Sequence, residues 1–142
     1  MRSHCRVSRL SALAAGLVTT LTASAVAAEQ APGDTVAMML SSGMQLRLAE
    51  IIWDDEARIG RFRFIAPALA EITEREAAID AAMEGLCNDF AKPVQRGLRP
   101  GWDAVVISLA EAPVPFGEYD PSVLQIFSGF TIVGADCRWD EF

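Results

Sequence analysis

Histidine is all but missing from this chain of 142 residues. The single one, His4, stands in a short basic start that reads as part of a removable leader. A mature chain without imidazole cannot run a Ser-His-Asp or Cys-His mechanism. It also lacks a histidine ligand for zinc. Cysteine is scarce too, at three residues, Cys5, Cys87 and Cys137. None of them forms the close Cys-x-x-Cys spacing common to redox pairs. There is no Arg-Arg pair near the start, which favours the general secretory route over the twin-arginine one. Long apolar runs are missing as well. The apolar stretch Leu10 to Val26 carries no charge and is diluted by Ser, Thr and Gly. It is short and weakly apolar for a stable membrane span.

What stands at the N-terminus is a pattern for export. Arg2, Arg6 and Arg9 precede the apolar stretch, and Ala25-Val26-Ala27-Ala28-Glu29 follows it. A basic start, an uncharged apolar middle and small residues at alternate positions make a secretory signal. Cleavage after Ala27 and cleavage after Ala28 fit equally. Cys5 lies ahead of the apolar stretch, where a lipid-anchor cysteine cannot be. The expected organisation is a signal peptide at residues 1–28, a flexible lead at 29–42 and a single domain at 43–142. The location expected is the periplasm or the outside of the cell, with no stable membrane span after cleavage.

Removal of residues 1–28 leaves 114 residues with nine basic and nineteen acidic side chains, a net charge of −10. That length supports one hydrophobic core. The acidic surface repels nucleic acid and anionic headgroups, so a nucleic-acid partner is not expected. Two cysteines, Cys87 and Cys137, remain after cleavage. An even count in an exported protein reads as a disulfide. It would close a loop of about 50 residues and stabilise by about 4 kcal/mol through the entropy of the unfolded chain.

Periodicity then supplies the elements. Met44, Leu46 and Leu48 alternate with Gln45 and Arg47, a strand with one buried face. The phase slips at Glu50, Ile51 and Ile52, which predicts a bulge or bend before Trp53. Asp54-Asp55-Glu56-Ala57-Arg58 is a polar turn. From Gly60 a second run sets Phe62, Phe64 and Ala66 against Arg61, Arg63 and Ile65, completing a hairpin. Thr73-Glu74-Arg75-Glu76 matches a capping box. Ile79, Ala82, Met83, Leu86, Cys87 and Phe90 then mark one face of a helix, with Asp80, Glu84 and Asn88 opposite. Lys92-Pro93 is expected to stop it. Ala104 to Leu109 reads as a central strand, Gln125 to Val133 as another, and Cys137-Arg138-Trp139 starts a last one. The expected fold class is therefore α+β, an antiparallel sheet of four to five strands with one helix packed on one face, in the order β-β-α-β-β-β.

Ile52-Trp53-Asp54, Arg61-Phe62-Arg63-Phe64-Ile65-Ala66-Pro67, Val106-Ile107-Ser108-Leu109, Pro113-Val114-Pro115-Phe116-Gly117, Asp120-Pro121 and Cys137-Arg138-Trp139 together resemble a family. It comprises small exported proteins from alphaproteobacteria of the Rhodobacter type. The likeness runs over most of Gly43 to Phe142. It implies export and a cysteine pair. The family has no assigned function, so the likeness carries over no activity and no catalytic residue.

The residues that point to a function lie between Pro113 and Pro121. Three prolines and a glycine in nine residues exclude a regular strand and stiffen the backbone. Phe116 and Tyr119 sit on that frame with Glu118 and Asp120 beside them. These four residues form the expected surface for a protein partner or small ligand in the periplasm. A preset backbone lowers the ordering cost of binding, and exposed aromatics are common anchors. The competing reading is a wide loop whose Phe116 and Tyr119 fold back over the core. Asp54, Asp55 and Glu56 lack the spaced pattern of a calcium loop and read as a solvated turn. No metal or other cofactor is expected, and no catalytic residue is assigned. The leading expectation is a non-enzymatic periplasmic binding protein, and the alternative is a carboxylate-based hydrolase of envelope polymers.

Overall fold

The computed structural model describes residues 37–40, 43–72 and 76–140. The leader falls outside them, as do residues 29–36 and 41–42 of the expected lead and the capping box at Thr73-Glu74-Arg75. Six strands form one sheet in chain order: β1 (Ala37–Met39), β2 (Gln45–Asp54), β3 (Ile59–Ile65), β4 (Ala104–Ala110), β5 (Gln125–Val133) and β6 (Asp136–Trp139). Residues 37–39, read as lead, thus pair with β2 through Ala37–Arg47 and Met39–Gln45.

The expected antiparallel sheet of four to five strands is overturned. The sheet has six strands, is mixed, and curls into a half-barrel. Strands β3 and β4 run parallel, from Ile59 beside Ala104 to Ile65 beside Ala110. The cause is the helical segment between them. A parallel neighbour needs a crossover of a dozen residues or more, and a helix supplies it. All other neighbours are antiparallel. The bulge in β2 falls between Leu48 and Glu50, at the predicted phase slip. Beyond it Ile51 and Trp53 take over the inward face, packing against the core.

The crossover begins with the short helix α1 (Leu69–Ile72). A longer helical stretch then runs through α2 (Glu76–Leu86), a π-helical turn at Cys87–Ala91 and α3 (Lys92–Leu98). Lys92-Pro93 therefore does not end the helix. Proline lacks an amide hydrogen, and in an α-helix its ring clashes with the carbonyl four residues back. The wider π turn, in which the Lys92 amide donates to the Cys87 carbonyl, lets the chain pass Pro93 and continue for another turn and a half.

The helical face meets the inward sheet face in a core of Phe62, Phe64, Val105, Ile107, Leu109 and Phe130 against Ile79, Met83, Leu86 and Ala91. Phe90 sets its ring edge-to-face on Phe62 at 6.2 Å and on Phe64 at 5.8 Å. Phe62 and Phe64 are fully buried, and each burial is worth about 1.5–3 kcal/mol. The structure joins Cys87 to Cys137, with Cα atoms 6.1 Å apart. A polar stripe on the same side of the helix holds the β5–β6 turn. Asn88 Oδ1 accepts the Cys137 amide at 2.9 Å, Lys92 donates to the Ala135 carbonyl and Arg96 to the Gly134 carbonyl. Asn88, expected on the solvent side, is thus a tie between helix and sheet.

Gln95 is the other anchor. Its side chain is buried, and Nε2 donates to the Ala104 carbonyl at 3.1 Å. Its Oε1 fills the space where a side chain at position 60 would begin, 2.1 Å from that point, so only glycine fits there. Gly60→Ala is expected to cost about 1–3 kcal/mol by overpacking. Gly85→Ala, which opens into empty space within the helix, should add about 0.5–1 kcal/mol. Urea unfolding midpoints of the two variants check this; movement of both in one direction would contradict the packing described.

Candidate functional site

The helix covers one face of the sheet, and strand alternation sends Arg61, Arg63, Val106, Ser108, Gln125 and Phe127 to the other. The register lines these up across the strands: Arg61 beside Val106, and Arg63 beside Ser108 beside Phe127. The loop between β4 and β5 folds over part of this face. Val114 is its buried foot. Arg63 Nη2 donates to the Val114 carbonyl at 2.7 Å, which fixes the loop to β3.

Between loop and sheet lies a groove of about 320 Å³. Small side chains from β4, Val106 and Ser108, make the floor. Arg61, Arg63 and Phe116 stand on one side and Phe127 on the other, with Glu118 and Tyr119 at the rim. The guanidinium carbons of Arg61 and Arg63 lie 6.0 and 5.6 Å from the centre of the Phe116 ring. Such contacts are worth about 0.5–1 kcal/mol each at exposed positions, and they hold Phe116 upright. Phe116 keeps 57% of its surface exposed, Phe127 61% and Tyr119 85%. The reading in which Phe116 and Tyr119 fold back over the core is thereby overturned, because Val114 does that work.

Three of the four residues singled out from sequence, Phe116, Glu118 and Tyr119, line this groove. Asp120 does not. Its Oδ1 accepts from the Ser122 hydroxyl at 2.6 Å and the Ser122 amide at 2.9 Å, closing the turn before β5. Those two donors hold its carboxyl below the ordinary aspartate range. Arg61, Arg63, Ser108 and Phe127 were not singled out from sequence. Their alternation marks the outward face, but nothing local shows that the loop returns over it.

Two larger hollows, of about 490 and 540 Å³, flank β1. Their walls are mostly Met, Leu, Ala and Ile side chains, with Gln45, Arg47 and Asp89 as the polar groups. Neither gathers exposed aromatics as the smaller groove does. In the turn after β2, Asp54 Oδ1 accepts the Ala57 amide at 3.0 Å and Oδ2 accepts from Arg61 Nη2 at 3.0 Å. Asp55 reaches Arg99 at 3.9 Å. Among the described residues no group of three Asp, Glu, His or Cys side chains is placed to hold a metal ion.

The Ala57 amide, and then Arg61, lower the Asp54 carboxyl below the ordinary aspartate range. A carboxylate with a lowered folded-state pKa adds stability at neutral pH. That contribution fades as acid protonates first the unfolded chain and then the folded one. Asp54→Asn should therefore lower the urea midpoint at pH 7, and the gap to wild type should shrink below about pH 4. A gap that stays constant down to pH 2.5 would contradict the ionic role of Asp54 in steadying Arg61.

No curated protein and no solved structure matches this chain. Among the described residues no helix is long and apolar enough to cross a membrane. The sequence does match one family over residues 17–142, taking in the whole sheet, the crossover helix and the groove. The chain belongs to the Family of unknown function (DUF6497).

Proposed function

We propose that this chain is an exported, non-catalytic protein that binds a partner in the periplasm through the groove between the Pro113–Pro121 loop and the open sheet face. The observation that carries this reading is the set of three exposed aromatic side chains, Phe116, Tyr119 and Phe127, gathered around one groove. Exposed aromatics cost solvation in a free monomer, and clusters of them mark binding surfaces. The groove is also preset. Its floor is a central strand, and its loop is framed by prolines and tied down by Arg63, so little ordering is needed on binding. The basic, apolar and small-residue pattern of the leader supports export, and the Cys87–Cys137 bridge suits an oxidising compartment.

The hydrolase reading has less support. It needs two carboxylates free to act on one bond. Asp120 is engaged by Ser122, Asp54 by Ala57 and Arg61, and Glu50 by Arg63. Glu118 is the one carboxylate among the groove's described lining residues, and Glu111 joins it only along the neighbouring hollow of about 460 Å³.

Capture from periplasm with wild type and with a Phe116→Ala, Tyr119→Ala double variant tests the proposal. Both aromatics are exposed, so the variant is expected to stay folded, less stable by about 1–2 kcal/mol through loss of the Arg61 and Arg63 contacts with Phe116, and to lose its partner. Identical partner sets for the two proteins would remove the groove from the account.

A further inference from the structure

The groove carries chemistry that narrows its occupant. We propose that it seats an aromatic side chain with a polar tip, Trp or Tyr, from a partner protein, flanked there by basic residues. This rests on the groove reading above and goes further by naming the partner's chemistry.

Charge supplies the first argument. From Ala110 to Leu124 the chain carries Glu111, Glu118 and Asp120 and no basic residue. The two cations beside the groove are already matched, Arg61 by Asp54 and Arg63 by Glu50. Glu118 has no ion pair or side-chain hydrogen bond among the described residues. The rim is thus net negative, on a mature chain of charge −10. Complementary potential steers association and selects partners, and here it selects a cationic segment.

Ser108 supplies the second. It keeps 6% of its surface exposed and lines the groove floor. No side-chain hydrogen bond of its hydroxyl is present among the described residues, and the residue lines the groove. A ligand that reaches the hydroxyl can take the place of water as its partner. An indole N–H or a phenol O–H does so while its ring fills an apolar slot. Size supplies the third. At about 320 Å³ the space is at the small end of ligand sites, which run from about 300 to 1,000 Å³. It suits one bulky side chain. A sugar chain asks for polar groups along a longer cleft, and the charges of Arg61 and Arg63 here are already paired with Asp54 and Glu50.

Titration of the oxidised, 15N-labelled protein by NMR tests this. The probes are the blocked tripeptides Lys-Trp-Lys, Lys-Ala-Lys and Glu-Trp-Glu, and a trimer of N-acetylglucosamine. Lys-Trp-Lys is expected to move the amides of Val106, Ser108, Phe116 and Phe127. The other two peptides should bind at least about tenfold more weakly. Ser108→Ala and Glu118→Gln should each weaken Lys-Trp-Lys several-fold, and Asp80→Asn on the helix should leave it unchanged. Equal binding of Lys-Ala-Lys or Glu-Trp-Glu would overturn the proposal. So would shifts from the sugar alone, or no binding of Lys-Trp-Lys at about 1 mM. In each of those cases the groove reading is judged apart, by whether Phe116→Ala, Tyr119→Ala still captures its periplasmic partner.

Discussion

Strands Ile59–Ile65 and Ala104–Ala110 lie side by side and run the same way. The chain leaving Ile65 therefore has to travel back along the sheet before β4 can begin. That requirement places the helical stretch from Glu76 to Leu98 across one face of the sheet, and the other devices of the fold serve to hold it there. The π turn carries the helix past Pro93. Gln95 docks into the hollow left by Gly60 and bonds the first residue of β4. Cys87, Asn88, Lys92 and Arg96 bind successive turns of the helix to the β5–β6 end of the sheet. These ties fall between Cys87 and Arg96 and leave that part of the crossover little freedom to tilt or slide.

The same constraint decides where function can lie. With the helix on one face, among the described residues only the β4–β5 loop shields the opposite face. The loop covers part of it, through Val114 and the Arg63 hydrogen bond. What stays open is a trough with a floor of small side chains and aromatic walls. Arg61 and Arg63 play two parts. Their charges are balanced by Asp54 and Glu50, and their guanidinium groups prop Phe116 away from the core. The groove is a by-product of the topology that this sequence has lined with exposed rings.

Local pattern made much of this legible. Alternation around Leu46 and Phe64 marks the hairpin and its inward face, the phase slip marks the bulge, and spacings of three and four mark the buried helix face through Cys87. The parallel junction was not legible from hairpin logic, although the nearly unbroken apolar run Ala104 to Leu109 is the mark of such a strand. Pro93 misled because a π turn leaves no signature in single-residue preference. Ser108 and Phe127 escaped notice because their role depends on a loop folding back across the sheet, a contact between residues far apart in the chain. Asp120 looked like a ligand group and proved to be a turn former, bonded to its own neighbour Ser122.

Native-state hydrogen exchange on the oxidised protein tests the central claim, that crossover helix and parallel pair open as one unit. Amides in Leu86 to Ala91 should exchange with the same opening free energy as those of Phe62, Phe64, Val105 and Ile107, whereas Phe116, Gly117 and Tyr119 should exchange at near-unprotected rates. Helix amides opening well below the strand amides would contradict the account, as would protection of Phe116 to Tyr119 equal to that of the core.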